Sequence, residues 1–357
     1  MKRKLPVSIR NSPIPSFKQL NCIVISLTKK YIMNDIVIEV NQLRKIFSSG
    51  KRKSKSVEAV KGIDFNVTKG EIFGLLGPNG AGKTTTLRIL CTLISPTGGN
   101  INILGYDLAK YQKEIRNNIG YVSQKGGLEL RSTGRENLIL QARLYGMSNI
   151  EAEDRAEYLI EKLELQSFAD RKAKTFSGGQ KRLFDLSAGI IHTPKILFLD
   201  EPTTGLDPQS RSHIWNEVTK LHDEGTTIIL TTHYLEEADV LCSRVAIINL
   251  GKIVELDNPA VLKRKIISGD IITLNFENGI SLQTASGLLS SESFVKEIKT
   301  VDTLLHVYVD EGDSALPLVM SVLHKNNLSI QTVSLSRPTL DDVFLKLTGR
   351  KLIDEKE

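Results

Sequence analysis

Nine consecutive residues, Gly77-Pro78-Asn79-Gly80-Ala81-Gly82-Lys83-Thr84-Thr85, have the types and spacing to hold a polyphosphate. The pattern is G-x-x-x-x-G-K-[ST]. Its glycines let the backbone curl so that N–H groups and the start of a following helix face the phosphates. Lys83 then reaches the outer phosphates, and the Thr84 hydroxyl can ligate Mg²⁺. Ser177-Gly178-Gly179-Gln180 opens a second helix, and two glycines with a serine present uncovered N–H donors and a hydroxyl, a second anion surface. Asp200 and Glu201 end an apolar run. Successive side chains on a strand point to opposite faces, so the two carboxylates can divide the work, one on Mg²⁺ and one on a water. The plainer alternative is a helix-capping Asp beside a surface Glu.

Three single residues add weaker signals. Gln124 can give its oxygen to a metal and its NH₂ to a water or phosphate. His233 ends a strand, where open α/β sheets bind ligands, although a single His is more often structural. Phe47 could stack on a nucleotide base, and a lone Phe is equally at home in a core or on a surface.

The elements that must position these groups follow from periodicity. Glu71 to Leu76 reads as a buried strand leading into the phosphate loop, and Thr86 to Leu90 as the helix after it. Strands are expected at Ile36 to Val40, Ala59 to Val67, Ile101 to Ile103, Ile119 to Gln124, Lys195 to Glu201 and Thr226 to His233. Helical spacing at Glu136 to Tyr145 and Glu151 to Leu163 reads as a helical subdomain inserted into the sheet domain, and Gln209 to Asp223 as a further helix.

Composition narrows the class. No apolar run approaches the roughly 18 residues that a membrane-spanning helix needs. Three cysteines at unrelated spacings suggest neither a disulfide framework nor a zinc site, as expected of a reducing compartment. The net charge of +6 could suggest nucleic acid, but the first 56 residues hold 13 Lys/Arg against 2 Asp/Glu, so the body is mildly acidic and no nucleic-acid partner is expected. Residues 1–33 read as a disordered basic extension. Its one apolar stretch, Cys22 to Leu27, lacks the length and cleavage site of a signal peptide, and Met33 offers an alternative start. Lys51 to Lys55 read as a solvated hairpin tip, with anionic lipid as the other reading.

Taken together, the phosphate loop, Gln124, Ser177-Gly178-Gly179-Gln180, Leu197-Phe198-Leu199-Asp200-Glu201, Gly205-Leu206-Asp207 and His233 closely resemble ABC transporter ATPase subunits in order and spacing, over residues 36 to 255. The resemblance implies an α/β P-loop NTPase with an inserted helical subdomain (about 125–192) within an ATPase domain at 34–257. It also implies ATP and Mg²⁺ as cofactors and a head-to-tail homodimer sandwiching two ATP molecules, each between one chain's Lys83 and the other's Ser177 and Gly179. Glu201 would be the general base, Thr84, Asp200 and Gln124 would serve the metal, and Gln124 would sense γ-phosphate while facing a membrane partner. His233 would clamp γ-phosphate, Asp207 would lie at the dimer seam and Phe47 under adenine. Phe176 stands where the family usually has Leu, and Phe47 where Tyr is frequent.

Residues 258–357 read as a small α+β accessory domain, with strands at Ile271 to Phe276, Leu304 to Val309 and Leu328 to Val333 and helices near Leu316 to His324 and Thr339 to Leu347. Arg337 to Arg350 resembles the C-terminal tail of daunorubicin-resistance-type exporter ATPases. That implies export of a drug-like or lipid-like cargo through a separate multi-spanning permease, with the chain peripheral at the cytoplasmic face of the membrane. Thr339 as a helix N-cap explains the tail's local form by itself. The alternative is a stand-alone cytosolic ABC ATPase. Double-headed translation factors need a second phosphate loop, and chromosome or repair ATPases a long coiled coil between motifs that here lie 94 residues apart.

Overall fold

The computed structural model describes residues 35–48, 56–266, 269–276, 282–301 and 303–348; the basic extension 1–33 and the Lys51 to Lys55 tip lie outside them. Among the described residues the strands form three sheets. An antiparallel sheet runs β2 (Ser56–Thr68), β1 (Ile36–Ser48), β4 (Gly98–Ile103) and β5 (Tyr106–Asp107). A six-stranded sheet runs β10 (Lys252–Asp257), β9 (Arg244–Asn249), β3 (Ile72–Leu76), β8 (Thr227–Thr232), β7 (Ile196–Asp200) and β6 (Ile119–Val122), parallel from β9 to β6.

Every residue of β3, β7 and β8 is buried, as expected of parallel strands covered on both faces. The pleat sorts their side chains. Phe73, Leu75, Phe198 and Ile229 pack toward the antiparallel sheet with Ile38, Val40 and Phe65, whereas Ile72, Leu76, Leu197, Leu199, Ile228 and Leu230 pack toward the helices. Registers Leu76 with Thr232 and Asp200 with Thr231 bring three strand ends to one edge of the sheet. The phosphate loop, the carboxylates and His233 all emerge there.

The helices Gly134–Leu144 and Asn149–Lys162 each start with a capping box, Thr133 with Glu136 and Ser148 with Glu151. The segment after them is fixed to the Gly178–Gly189 helix by an aromatic cluster in which Phe176 stacks on Phe184 at 5.1 Å and meets Phe168 edge-on at 5.5 Å. Phe176 is therefore a packing residue, buried at 5% exposure.

A third sheet, all antiparallel, runs β12 (Val295–Val301), β13 (Leu304–Val309), β11 (Asp270–Phe276) and β14 (Ile330–Ser336). The helices Leu282–Ser290 and Gly312–Lys325 cover it through Ala285, Leu289, Val319 and Leu323. β12 and the Leu282–Ser290 helix go beyond the sequence reading; β12 has an apolar residue only at every third position, so it lacks the alternation of a strand. The second helix starts four residues before Leu316 and runs through Pro317, which lies inside it and leaves one interior carbonyl without its helical N–H donor.

The chain ends by returning to the first unit. Thr339 caps the Leu340–Thr348 helix, its hydroxyl accepting from Asp342 N–H at 3.3 Å. Leu340, Val343 and Phe344 are at most 1% exposed and belong to the same apolar cluster as Leu235, Leu241 and Leu262. Trp215, the chain's one tryptophan, packs against that cluster. Truncation Phe344→Ala is thus expected to destabilise the parallel-sheet unit by about 3–5 kcal/mol, seen as a lower urea midpoint of the Trp215 fluorescence transition. An unmoved transition would show that the tail helix is not part of this core.

Candidate functional site

The phosphate loop is shaped by neighbours that leave no room for side chains. A Cβ on Gly77 would overlap the Ile248 carbonyl oxygen, and Gly82 adopts φ 109°, which favours glycine. Asn79 and Gly80 form the exposed tip, with Pro78 half-buried behind them, while Ala81 and Gly82 are buried. Lys83 opens the Lys83–Leu90 helix, so the first-turn N–H groups of Thr84 and Thr85 face the loop. Its side chain is only 4% exposed and folds back, Nζ donating to Gly77 O at 2.7 Å and Pro78 O at 3.1 Å.

The two carboxylates diverge because β7 ends at Asp200 and the chain bends at Glu201. Asp200, at the end of β7, accepts from Thr84 Oγ1 at 2.9 Å and Thr231 Oγ1 at 2.7 Å. Glu201 turns the other way. Its Oε2 accepts from Gln124 Nε2 at 2.8 Å and Thr204 Oγ1 at 3.1 Å, and its Oε1 stands 3.7 Å from Lys83 Nζ. His233 Nδ1 lies 3.3 Å from Glu201 Oε2, close enough for an ion pair but without the alignment of a hydrogen bond. The structure thus gathers the phosphate loop, Gln124, Asp200, Glu201 and His233 into one site.

Charge in this site is finely opposed. Burial alone would push the Glu201 carboxyl up, but His233, Lys83 and Thr204 together hold it below the ordinary glutamate value. Burial draws the Lys83 ammonium down, only partly resisted by Glu201 and Asp200. Glu201 itself has φ 47°, a left-handed conformation rare outside glycine, and its N–H is held by Thr231 O at 3.1 Å and Thr231 Oγ1 at 3.0 Å. Thr84 and Asp200 supply a hydroxyl and a carboxylate in mutual contact, hard oxygen donors that fit Mg²⁺ together with phosphate oxygens. Among the described residues no group of three or more His, Cys, Asp or Glu could hold a metal alone.

Among the other expected site residues, Gly178 borders a cavity of about 340 Å³ with Gln124 and Glu201, and the rest lie apart from this cluster. Ser177 is the N-cap of the Gly178–Gly189 helix, its Oγ accepting from Gln180 N at 3.2 Å while Gln180 Oε1 accepts from Ser177 N at 3.1 Å. That box covers two of the four first-turn donors and leaves Gly178 and Gly179. Ser177, Gly179 and Gln180 border a cavity of about 200 Å³ with Phe168, Ser210 and His213, none of them a phosphate-loop neighbour. Asp207 caps the Pro208–Asp223 helix, and hydrogen bonds from the hydroxyl and N–H of Ser210 draw its carboxyl down. Phe47, 44% exposed near the end of β1, has Lys45 Nζ 5.0 Å from its ring centre.

Three contributors escaped the sequence reading. Thr231 and Thr204 secure Asp200 and Glu201 by hydroxyls that only strand register and a turn bring into place. Arg182 is 7% exposed and donates to the carbonyls of Ser123, Asp200 and Pro202. A basic residue just inside a signature helix was its only visible sign.

With the geometry in hand, comparison with known proteins gives a consistent picture. A family profile described as "ABC transporter" matches residues 60–204, and one described as "ATP-binding protein DrrA1-3-like, C-terminal domain" matches residues 258–348. The chain is 39% identical, over 89% of its length and 94% of the relative, to the daunorubicin/doxorubicin resistance ATP-binding protein DrrA of Streptomyces peucetius. It is 38% identical to the linearmycin resistance ATP-binding protein LnrL of Bacillus subtilis, over 83% of this chain and 95% of that one. A dimeric ATP-binding cassette solved in a post-hydrolysis state with ADP and Pi aligns with TM-score 0.57 and 27% identity, over 62% of this chain and 98% of that one. By motif, fold and relatedness over nearly its whole length, the chain belongs to the ATP-binding proteins of the ABC transporter family.

Proposed function

We propose that this ATPase powers export of a drug-like or lipid-like cargo through a separate membrane-spanning subunit. The observation that carries the catalytic part is the convergence of Lys83, Asp200, Glu201, Gln124 and His233 at one edge of the parallel sheet. Lys83 lies folded against two loop carbonyls and can exchange them for phosphate oxygens of ATP. Glu201, kept ionised, accepts a proton from water at the γ-phosphate, and Gln124 orients that water and senses the phosphate. His233 clamps the γ-phosphate. Thr84, Asp200 and Gln124 would hold Mg²⁺, which supplies charge neutralisation when bound. Phe47, exposed near the end of β1, would stack on adenine.

The chain works as a head-to-tail homodimer in this reading. Gly178 and Gly179 keep free first-turn donors that the chain's own phosphate loop does not use, so the partner's nucleotide is their proposed ligand, with Ser177 and Gln180 shaping the turn and Asp207 at the seam. The dimeric state of the solved relative supports this. The membrane subunit would dock beside the Gln124 loop, where a cavity of about 320 Å³ is lined by Tyr121, Ser123, Leu128, Leu140 and Leu144. Leu140 and Leu144 are 53% and 73% exposed there, apolar side chains on the helix face opposite buried Leu138 and Ala142. No described helix is long and apolar enough to cross a membrane. The chain would then sit peripherally at the cytoplasmic face. Residues 34–257 are the proposed ATPase domain and 258–357 the accessory domain, and the names of the drug-resistance relatives support the cargo class.

Glu201→Gln is expected to keep ATP binding but lower phosphate release by about 10²-fold or more, and rapid turnover by that variant would remove Glu201 as the base. Lys83→Ala should weaken binding of a fluorescent ATP analogue by roughly tenfold or more, since a charge-assisted contact is lost; unchanged affinity would contradict the role given to Lys83. Tagged Glu201→Gln protein, pulled down from detergent-solubilised native membranes with ATP, should bring a multi-spanning protein in near equal amount. Recovery of soluble partners alone would favour an ATPase uncoupled from transport.

A further inference from the structure

The Gly178–Gly189 helix grips the catalytic loops through two side chains one turn apart. Arg182 Nη1 donates to Ser123 O at 2.6 Å, immediately before Gln124. Its Nη2 and Nε donate to Asp200 O at 3.1 Å and Pro202 O at 2.6 Å, the carbonyls on either side of Glu201. Asp185 Oδ1 accepts from Gly127 N at 2.9 Å, on the far side of Gln124. The loop from Ser123 to Gly127 is therefore held at both ends, and a Cβ on Gly126 would strike the Asp185 carboxylate 2.6 Å away.

We propose that Arg182 and Asp185 are positioning residues that make Gln124 and Glu201 follow the Ser177 helix, so that one chain's hydrolytic groups register the nucleotide engaged by that helix on a second copy. The proposal rests on the head-to-tail dimer above. Burying a cation to ligate only main-chain carbonyls costs desolvation energy that an apolar staple would avoid. The planar guanidinium fixes three carbonyls in one mutual arrangement, which a flexible ammonium would not. Two of its bonds are short, so a shift of the helix is passed on to the residues beside Gln124 and Glu201. A misplacement of about 1 Å in a reacting centre costs on the order of 10²-fold in rate. The helix that presents Gly178 and Gly179 outward is thereby the same body that sets the inward geometry.

The test compares full-length wild type with Arg182→Lys, Asp185→Leu and Asp185→Asn. Binding of a fluorescent ATP analogue, ATP-driven dimerisation by light scattering, and the ATP-concentration dependence of hydrolysis are measured. Arg182→Lys and Asp185→Leu should bind the analogue within about twofold of wild type and dimerise, yet lose roughly tenfold or more in kcat with KM little changed. Any sigmoidal dependence on ATP should flatten in both. Asp185→Asn, whose amide oxygen still accepts from Gly127, should stay within about threefold of wild type. Variants that dimerise with wild-type kcat overturn the proposal, as does an Asp185→Asn as impaired as Asp185→Leu. A wild-type chain that stays monomeric with ATP would instead overturn the dimer reading beneath it.

Discussion

Three charges held dry and close together, Lys83, Asp200 and Glu201, are the constraint on which the rest of the structure depends. They are 4%, 1% and 7% exposed. Removing an ion from water costs several kcal/mol unless other groups replace its hydration, and each of these ions has its replacements. Lys83 has two loop carbonyls, Asp200 two threonine hydroxyls, and Glu201 an amide and a hydroxyl. The strand order is what makes such a set available. With β8 between β3 and β7, Thr231 lies beside Asp200, and His233 follows one residue after the end of the same strand.

The same site carries backbone strain. A non-glycine residue at φ 47° costs on the order of 1–3 kcal/mol, and at Glu201 it is held in place by two bonds from its own N–H to Thr231. The result turns Glu201 away from Asp200, so that a neighbouring pair of like charges does not share one pocket. It also places Glu201 against Gln124, which the Gly178–Gly189 helix holds through Arg182 and Asp185. Strain, strand register and helix position thus converge on one carboxylate.

How much of this was legible in the sequence depended on the range of the forces involved. The phosphate loop, the apolar runs of β3, β7 and β8, and the adjacency of Asp200 and Glu201 follow from local spacing, so the fold and much of the site could be read, whereas the strained turn that aims Glu201 could not. The inward turn of the Ser177 hydroxyl was written in the S-x-x-Q spacing with Gln180, a capping box that the anion-site reading overlooked. Thr231 and Arg182 act on groups far away in sequence, 31 residues for Thr231 and Asp200 and 59 for Arg182 and Ser123, while Thr204 reaches Glu201 only through the turn between them. No periodicity encodes that. The return of the Leu340–Thr348 helix to the first core is likewise a tertiary event, visible beforehand only as a capped helix starting at Thr339.

The most direct measurement of the central claim is a crystal structure of the Glu201→Gln chain grown with ATP and Mg²⁺. The account predicts a two-fold dimer in which Lys83 has left the Gly77 and Pro78 carbonyls for the phosphates. Each γ-phosphate would be met by the first-turn N–H groups of the second copy's Ser177 helix. ATP bound to an isolated chain, with that helix turned away from every phosphate, would contradict it.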